Sequence, residues 1–160
     1  MPIKQRITPF LWFDGQAEEA ANFYVSIFPN SKVSATSRYG EAGPGPKGSV
    51  MTIAFDLDGL SFTALNGGPM FKFTEAISFV VNCENQEEVD YFWSKLSAGG
   101  EESRCGWLKD KFGLSWQVVP TVLTEMLTDK DTAKAKRVMH AMLQMDKIDI
   151  AVLKKAYDQK

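Results

Sequence analysis

The sequence predicts an α+β fold that consists of two βαβββ modules followed by C-terminal helices. The main observation is an internal repeat: when residues 13–24 are shifted by 69 positions onto residues 82–93, Glu18 falls on Glu87 and both segments keep the same apolar spacing. Short β-rich segments surround each copy. Beyond Pro120 the pattern changes to that of amphipathic helices. One structural unit is therefore encoded twice, and a helical tail follows it.

Each copy of the repeat begins with a strand and continues as a helix. The predicted strands are residues 7–13 and 76–82, which are rich in β-branched and aromatic residues. In the second copy, the apolar residues at i, i+3, i+4 and i+7 from Val89 share one helical face, which predicts a helix packed on a sheet. Asn85 is the predicted N-cap, with a glutamate three residues later, and Gly99 ends the helix.

Three further strands complete the first module. They are predicted in residues 31–39, 49–59 and 60–68. Apolar residues alternate with polar or small ones from Met51 to Asp58, which is the period of a strand with one buried face, and Asp58-Gly59 predicts a tight hairpin turn. The second module has corresponding but shorter strand segments in residues 101–110 and 113–120.

The composition excludes several classes of partner. Lys and Arg total 18 against 20 for Asp and Glu, so the chain lacks the cationic excess that nucleic-acid binding requires. No apolar run reaches the ~18 residues of a membrane span, and the start lacks a signal-type apolar segment, so we expect no membrane association and a cytoplasmic location. Cys83 and Cys105 form neither a C-x-x-C pair nor a disulfide framework, and both are expected to be reduced.

Five segments of the chain resemble one protein family. They are residues 13–29, 39–52, 62–79, 105–120 and 142–157. The sequence is similar to the PhnB-like, or 3-demethylubiquinone-9 3-methyltransferase-like, family of the vicinal oxygen chelate superfamily, which also contains glyoxalases, dioxygenases and bleomycin-resistance proteins. The resemblance implies a glyoxalase-like domain over residues 1–120, with modules at about 5–68 and 74–120, and a helical extension of the same domain over residues 121–160.

The resemblance also implies where a metal ion would bind. In the metal enzymes of the superfamily, ligands that are usually His and Glu lie on the first and last strands of each module. The equivalent positions here fall near Ile7, at Ala76, within residues 62–66 and at Gln117, and none carries an imidazole or a carboxylate. Two apolar positions and two neutral amides are too few donors for a divalent ion. We therefore expect no metal and no other cofactor.

The usual catalytic sets are not indicated either. The only histidine, His140, lies in the C-terminal tail outside both modules, so no Ser-His-acid or Cys-His set can form around the sheets. The methyltransferase activity in the family name lacks its expected motif, a glycine-rich strand-to-helix turn followed by an acidic residue.

The ligand-binding residues that the sequence indicates are Gln117, Asn66, Ser78 and Trp107. Gln117 and Asn66 come from the last strands of the two modules, at or near the superfamily's ligand positions, and we expect them to face a common cavity. Ser78 and Trp107 follow from strand parity and from the aromatic character of ligand pockets. Structural roles are the alternative, because the two amides could shape turns or bond to backbone, and Trp107 could belong to the core.

Two functional hypotheses remain open. The first is a metal-free protein that binds a small organic molecule, as in the bleomycin-resistance branch of the superfamily. The second is an enzyme of unknown reaction, which needs a titratable group in its cavity. Asp56, Glu75 and Asp110 are the residues whose position there would favour an enzyme. A third alternative is a vestigial pocket in a protein that acts through its surface.

The tail and the repeat both bear on assembly. Amphipathic helices are predicted in residues 131–145, with a cap at Asp131 or Thr132, and in residues 149–157. They cover either the protein's own sheet or a partner chain. Because one module alone leaves strand edges and an apolar face open, the modules are expected to pair, within one chain or by exchange between chains, in a homodimer whose cavities are each lined by two modules.

Overall fold

The structure is a computed structural model of the chain and describes residues 1–159. The chain forms two compact units, the first spanning Met1–Lys72 and the second beginning at Phe73. Each unit contains a four-stranded sheet. The α+β class and the doubled arrangement of strand, helix and strands, both predicted from the repeat, are confirmed.

The first unit is a sheet with one helix packed against it. Its elements are β1 (Phe10–Phe13), α1 (Ala17–Ile27), β2 (Lys32–Arg38), β3 (Val50–Leu57) and β4 (Leu60–Asn66). The strand order is β1-β4-β3-β2, with β1 parallel to β4 and the other pairs antiparallel. Tyr24 of α1 is fully buried, and its ring stacks on that of Phe55 in β3 with centroids 6.2 Å apart. The apolar face of the helix therefore covers the sheet, as predicted.

The alternation predicted in β3 is confirmed. Every second residue from Ile53 to Leu57 is buried towards α1, whereas the residues between them are half-buried on the other face. At the following turn, Asp58 and Gly59 have φ angles of 46° and 87°. Positive φ at both central residues is the geometry of a two-residue hairpin turn of type I′, which Asp-Gly favours.

The second unit repeats the arrangement with shorter strands. Its first elements are β5 (Ser78–Cys83), α2 (Gln86–Ser97), β6 (Glu101–Glu102), β7 (Trp107–Lys109) and β8 (Ser115–Pro120). The strand order is β5-β8-β7-β6, with β5 parallel to β8. Asn85 accepts a hydrogen bond from the Glu88 N–H at 2.9 Å, so the predicted cap of α2 is confirmed. The buried face of α2 begins at Val89, as the spacing predicts.

Both first strands begin later than predicted. β1 begins at Phe10 and β5 at Ser78, whereas the sequence predicted starts at residues 7 and 76. Pro9 has no N–H to donate to the ladder, although its carbonyl accepts a bond from the Thr63 N–H at 3.0 Å. Residues 7–9 before β1 thus lie outside the strand, and before β5 residues 75–76 form a turn that is followed by a bend at Ile77.

The tail contains three helices rather than the two that were predicted. They are α3 (Thr121–Leu127), α4 (Thr132–Met142), capped by Asp131, and α5 (Ile150–Asp158), capped by Asp149. The prediction omitted α3 because its seven residues follow β8 without a break and are too few to show a helical period. The three helices share a buried cluster that consists of Leu123, Met126, Val138, Ile148 and Leu153.

The tail packs on its own unit. The Gln86 side chain, at the start of α2, donates to the Ile148 carbonyl at 3.0 Å and accepts from the Ile150 N–H at 2.9 Å. The N–H groups of Cys105 and Gly106 donate to carbonyls of the segment between α4 and α5, at 2.9 and 2.7 Å. Of the two alternatives that the sequence left open, the structure thus shows packing within the chain.

Two further expectations concern the whole chain. Cys83 is buried and Cys105 half-buried, and both thiols are free, as predicted. No helix within residues 1–159 is long and apolar enough to cross a membrane.

Candidate functional site

The sheet of the second unit has one face covered by α2 and one face that points away from it. Along β8, Trp116 and Val118 are buried beneath α2, whereas Gln117 is half-buried on the other face. In the strand ladders Gln117 lies beside Val80 of β5 and opposite Trp107 of β7. Because paired residues project to the same side of a sheet, all three share the face that points away from α2, which we term the far face.

A polar pair lies on the far face. The Gln117 Nε2 donates a hydrogen bond to the Ser78 Oγ at 2.9 Å. Neither side chain has another hydrogen-bond partner among residues 1–159, so the Gln117 carbonyl oxygen, its second N–H and the Ser78 O–H are not used by that part of the protein. The far face therefore offers an acceptor and two donors beside the indole of Trp107. Three of the four predicted ligand-binding residues are brought together here.

An ion pair flanks the polar pair. Lys109, two residues after Trp107 on β7, lies on the far face, and its Nζ is 2.5 Å from a carboxylate oxygen of Glu75. The hydrogen bond to Lys109 lowers the pKa of Glu75, and the same bond raises the pKa of Lys109. Both groups are therefore charged at neutral pH. Ser115, which pairs with Lys109 in the ladder, is buried, and its hydroxyl has no partner within residues 1–159.

Asn66, the fourth predicted residue, belongs to the first unit and has a different environment. It ends β4 opposite the buried Phe13, on the side of α1. Its Oδ1 accepts a bond from the Ala17 N–H at 2.8 Å, and its Nδ2 donates to the Val50 carbonyl at 3.1 Å. Both amide functions therefore satisfy backbone groups, one of them in the first turn of α1. This geometry is the structural role that the sequence left as an alternative, and a ligand-binding role for Asn66 stays a prediction.

A groove of about 510 Å³ lies beside this amide in the first unit. Its walls include the start of α1, the end of β4 and part of the Gly- and Pro-rich loop 40–48. The loop packs on Tyr39: a Cβ added at Gly45 would lie 2.4 Å from the tyrosine ring, and the Tyr39 hydroxyl donates to the Asn66 carbonyl at 2.5 Å. Sequence reasoning did not single out Tyr39. The available signal was an aromatic residue directly before a run of glycines and prolines.

The carboxylates that would favour an enzyme are in structural positions or in ion pairs. Asp110 is buried and accepts bonds from the Phe112 and Leu114 N–H groups and from the Trp116 indole, at 2.8, 3.1 and 2.9 Å. Asp56, in the first unit, accepts a bond from the Ser61 hydroxyl at 2.6 Å. Glu75 alone lies near the far face.

The side chains at the superfamily's metal positions do not fit a divalent ion. Ile7 and Ala76 are exposed residues ahead of β1 and β5, residues 62–66 form β4, and Gln117 is bonded to Ser78. Within residues 1–159, no three His, Cys, Asp or Glu side chains are grouped so that they could hold a metal ion. Neutral amides and aliphatic groups cannot replace the imidazole and carboxylate donors that such ions require.

The two βαβββ units define the class of protein. With a strand, a helix and three strands in each unit, the chain has the glyoxalase-like fold of the vicinal oxygen chelate superfamily. The FosX fosfomycin resistance protein of Listeria monocytogenes is similar in fold, with a TM-score of 0.55 at 19% identity over 80% of this chain and 100% of that one. A protein of Pseudomonas aeruginosa is similar with a TM-score of 0.61 at 20% identity, over 73% and 98% of the two chains.

Sequence similarity also identifies the family within this superfamily to which the chain belongs. Residues 5–119 match the model of the family described as 3-demethylubiquinone-9 3-methyltransferase. The PhnB protein of Bacillus cereus is 41% identical over 73% of this chain and 100% of its own length, with a TM-score of 0.67. The chain therefore belongs to this PhnB-like family of the vicinal oxygen chelate superfamily. No curated protein matches it significantly.

Proposed function

We propose that the protein binds a small organic molecule on the far face of the second unit, without a metal ion. The observation that carries the proposal is the Gln117–Ser78 hydrogen bond beside Trp107. A ligand can accept from the Ser78 O–H and donate to the Gln117 carbonyl oxygen while it packs on the indole. Few oriented polar groups next to an aromatic surface are typical of small-molecule sites.

The charges around the far face favour a neutral ligand. Lys109 is paired with Glu75 at 2.5 Å, so these two charges next to the polar pair compensate each other, while Glu101 adds a negative charge on the edge strand β6, opposite Lys109. An anionic ligand would have to displace Glu75 from Lys109. A cationic ligand would have to displace Lys109 from Glu75. A planar polar molecule, such as an amide or a heterocycle, matches the donors and acceptor without disturbing that pair.

A binding protein is favoured over an enzyme by the state of the same ion pair. Of the three carboxylates that would favour an enzyme, only Glu75 lies beside the far face, and Lys109 holds its pKa below the ordinary value. A carboxylate stabilised in its charged form is a weak general base, because efficient proton transfer needs a pKa close to the working pH. A FosX structure contains Mn(II), but its identity to this chain is only 16%, so its metal is not carried over to this chain. The methyltransferase activity in the family description is not part of the proposal.

The test is mass spectrometry of small molecules released from the natively purified protein. We expect a compound to be released from the wild-type protein and to be reduced at least about tenfold in Gln117→Leu and in Trp107→Leu, each of which removes one contact. Gln16→Leu, the same change at an exposed glutamine of the first unit, is the matched control. Equal occupancy in all four proteins would overturn the assignment, and a recovered compound in chemically altered form would favour the enzyme.

Assembly and location complete the proposal. We infer a cytoplasmic homodimer. Two unpaired cysteines suit a reducing compartment, and apolar side chains on or beside the far face, Ile77 at 70% and Val80 at 48% exposure, are of the kind that a second chain covers. Analytical ultracentrifugation tests the assembly: a single species at the monomer mass throughout the micromolar range contradicts it.

A further inference from the structure

A groove of about 530 Å³ lies between α4 and α5. Its lining includes the basic residues Lys136, Arg137, His140 and Lys155. All of these residues lie beyond the segment that matches the family, which ends at residue 119. The groove is therefore a feature of the appended helices, and it is independent of the far face and of the function proposed for it.

The groove is basic in a chain that is acidic overall. The formal charge of the chain is -2, yet three lysine or arginine side chains and the only histidine line this groove. Among the described residues that line it, none is Asp or Glu. Three of the four basic residues lie on α4 and the fourth lies on α5. Tertiary packing, rather than a run of charges in the sequence, therefore brings them together.

Arg137 fixes the two helices relative to each other. Its Nε donates to the Ala156 carbonyl at 2.9 Å, and its Nη2 donates to the Tyr157 carbonyl at 3.0 Å. These carbonyls lie in the last turn of α5, where a cation is favoured by the helix dipole. The first half of α4 is thereby held against the end of α5.

The remaining basic groups of the groove are not used by the described part of the protein. Lys136, His140 and Lys155 form no ion pair or hydrogen bond within residues 1–159. Two other lysines of the unit do have partners: Lys147 is 2.8 Å from Asp90, and Lys134 lies over the Tyr157 ring at 4.6 Å. The three groove residues are thus available to a ligand. Between them, Ala141, Val152 and Ala156 provide apolar surface.

We propose that the groove between α4 and α5 is a second binding site, which takes a small organic anion with a phosphate or sulfonate group and an apolar body. Convergent ammonium and imidazole groups suit an anion with several acceptor oxygens, since each oxygen can accept a charge-assisted hydrogen bond. The small apolar residues accommodate the body of the ligand. The volume lies within the range of about 300–1,000 Å³ that small-molecule sites occupy.

The experiment uses the full-length protein and phenyl phosphate as the probe. Because His140 is the only histidine, its ring proton signals in the NMR spectrum report on this groove alone. At fixed pH we expect them to shift saturably with phenyl phosphate. The double variant Lys136→Gln/Lys155→Gln should raise the apparent Kd about tenfold or more, since it removes two of the charges that bind the anion.

Two controls separate this site from general charge effects. The double variant Lys130→Gln/Lys154→Gln also removes two positive charges, but neither residue lines the groove, so its Kd should equal that of the wild-type protein. Inorganic phosphate, which lacks the apolar body, should bind several-fold more weakly than phenyl phosphate. The proposal is overturned by shifts that do not saturate, by equal Kd values for the two double variants, or by equal binding of uncharged benzyl alcohol.

Discussion

The side-chain amide of Gln117 donates a hydrogen bond to the hydroxyl of Ser78 across two parallel strands, at 2.9 Å. The two residues are 39 positions apart in the chain. In the ladder Ser78 pairs with Ser115, two residues before Gln117, so the bond runs diagonally across the far face. It joins β5 to β8 and orients both polar side chains next to Trp107.

The energy of this bond can be measured with a double-mutant cycle. We expect Gln117→Leu and Ser78→Ala to lower the free energy of unfolding by no more than about 1.5 kcal/mol each, with a coupling of about 0.5–1.5 kcal/mol, because both groups are only partly buried. Urea denaturation provides the four values. A coupling near zero would show that the two side chains are not bonded in solution.

Asn66 should matter more for stability than an ordinary cap. It bonds to the Ala17 N–H and the Val50 carbonyl, whereas Asn85 makes the exposed cap bond at the start of α2. Asn66→Ala should therefore cost about 2–3 kcal/mol of unfolding free energy, and Asn85→Ala about 1 kcal/mol. Denaturant unfolding of both variants measures the difference. Equal losses would contradict the double role of Asn66.

The tail should behave as part of the core of its unit. Leu153 of α5 is fully buried, whereas its neighbour Val152 is 47% exposed. Leu153→Ala should lower the free energy of unfolding by about 2–5 kcal/mol, and Val152→Ala by less than about 1 kcal/mol. Cutting the chain after Pro120 removes this buried cluster and should expose the apolar surface that the tail covers, Val119 included, so solubility should fall. A truncated protein as soluble and stable as the full chain would refute this.

The burial of Cys83 predicts that the free energy of unfolding depends on pH. Burial raises the pKa of its thiol from 9.0 to about 12. Between these values the unfolded chain releases the thiol proton and the folded protein keeps it, so Cys83 lowers stability as the pH rises from 9 towards 12. The unfolding free energy of the wild-type protein should fall more steeply between pH 8 and pH 10 than that of Cys83→Ala. Cys105→Ala, which removes the other free thiol, is the control for the substitution itself.

Metal removal should leave the protein unchanged. Because the superfamily's metal positions hold aliphatic residues and amides, we expect purified protein to contain no stoichiometric divalent ion and to keep its melting temperature in the presence of a chelator. Elemental analysis and thermal denaturation check both statements. A content near one zinc, nickel, iron or manganese per chain would disprove the prediction.

The sequence by itself determined most of the elements, with α3 as the exception, and the composition of the far face. A period of two along β5, β7 and β8 places Ser78, Trp107 and Gln117 on one side of the sheet, provided that the register is as observed. The 69-residue shift likewise predicted where both sheet-packed helices lie, because apolar spacing is a local property of the chain. A turn joins the antiparallel pair β7–β8, whereas the register of the parallel pair β5–β8 depends on packing between strands distant in the sequence.

Only the tertiary structure decided what long-range partners each side chain has. The burial of Phe62 and Ala64 shows that Asn66, four and two residues after them, projects towards α1, but its bonds reach groups 49 and 16 residues away. In the same way, helical spacing places Lys136 and His140 on one stripe of α4, while Lys155 joins them only because α5 packs alongside. Periodicity determines the face of an element on which a residue lies. Which groups meet that face depends on packing between elements, where many weak contacts distant in sequence act together.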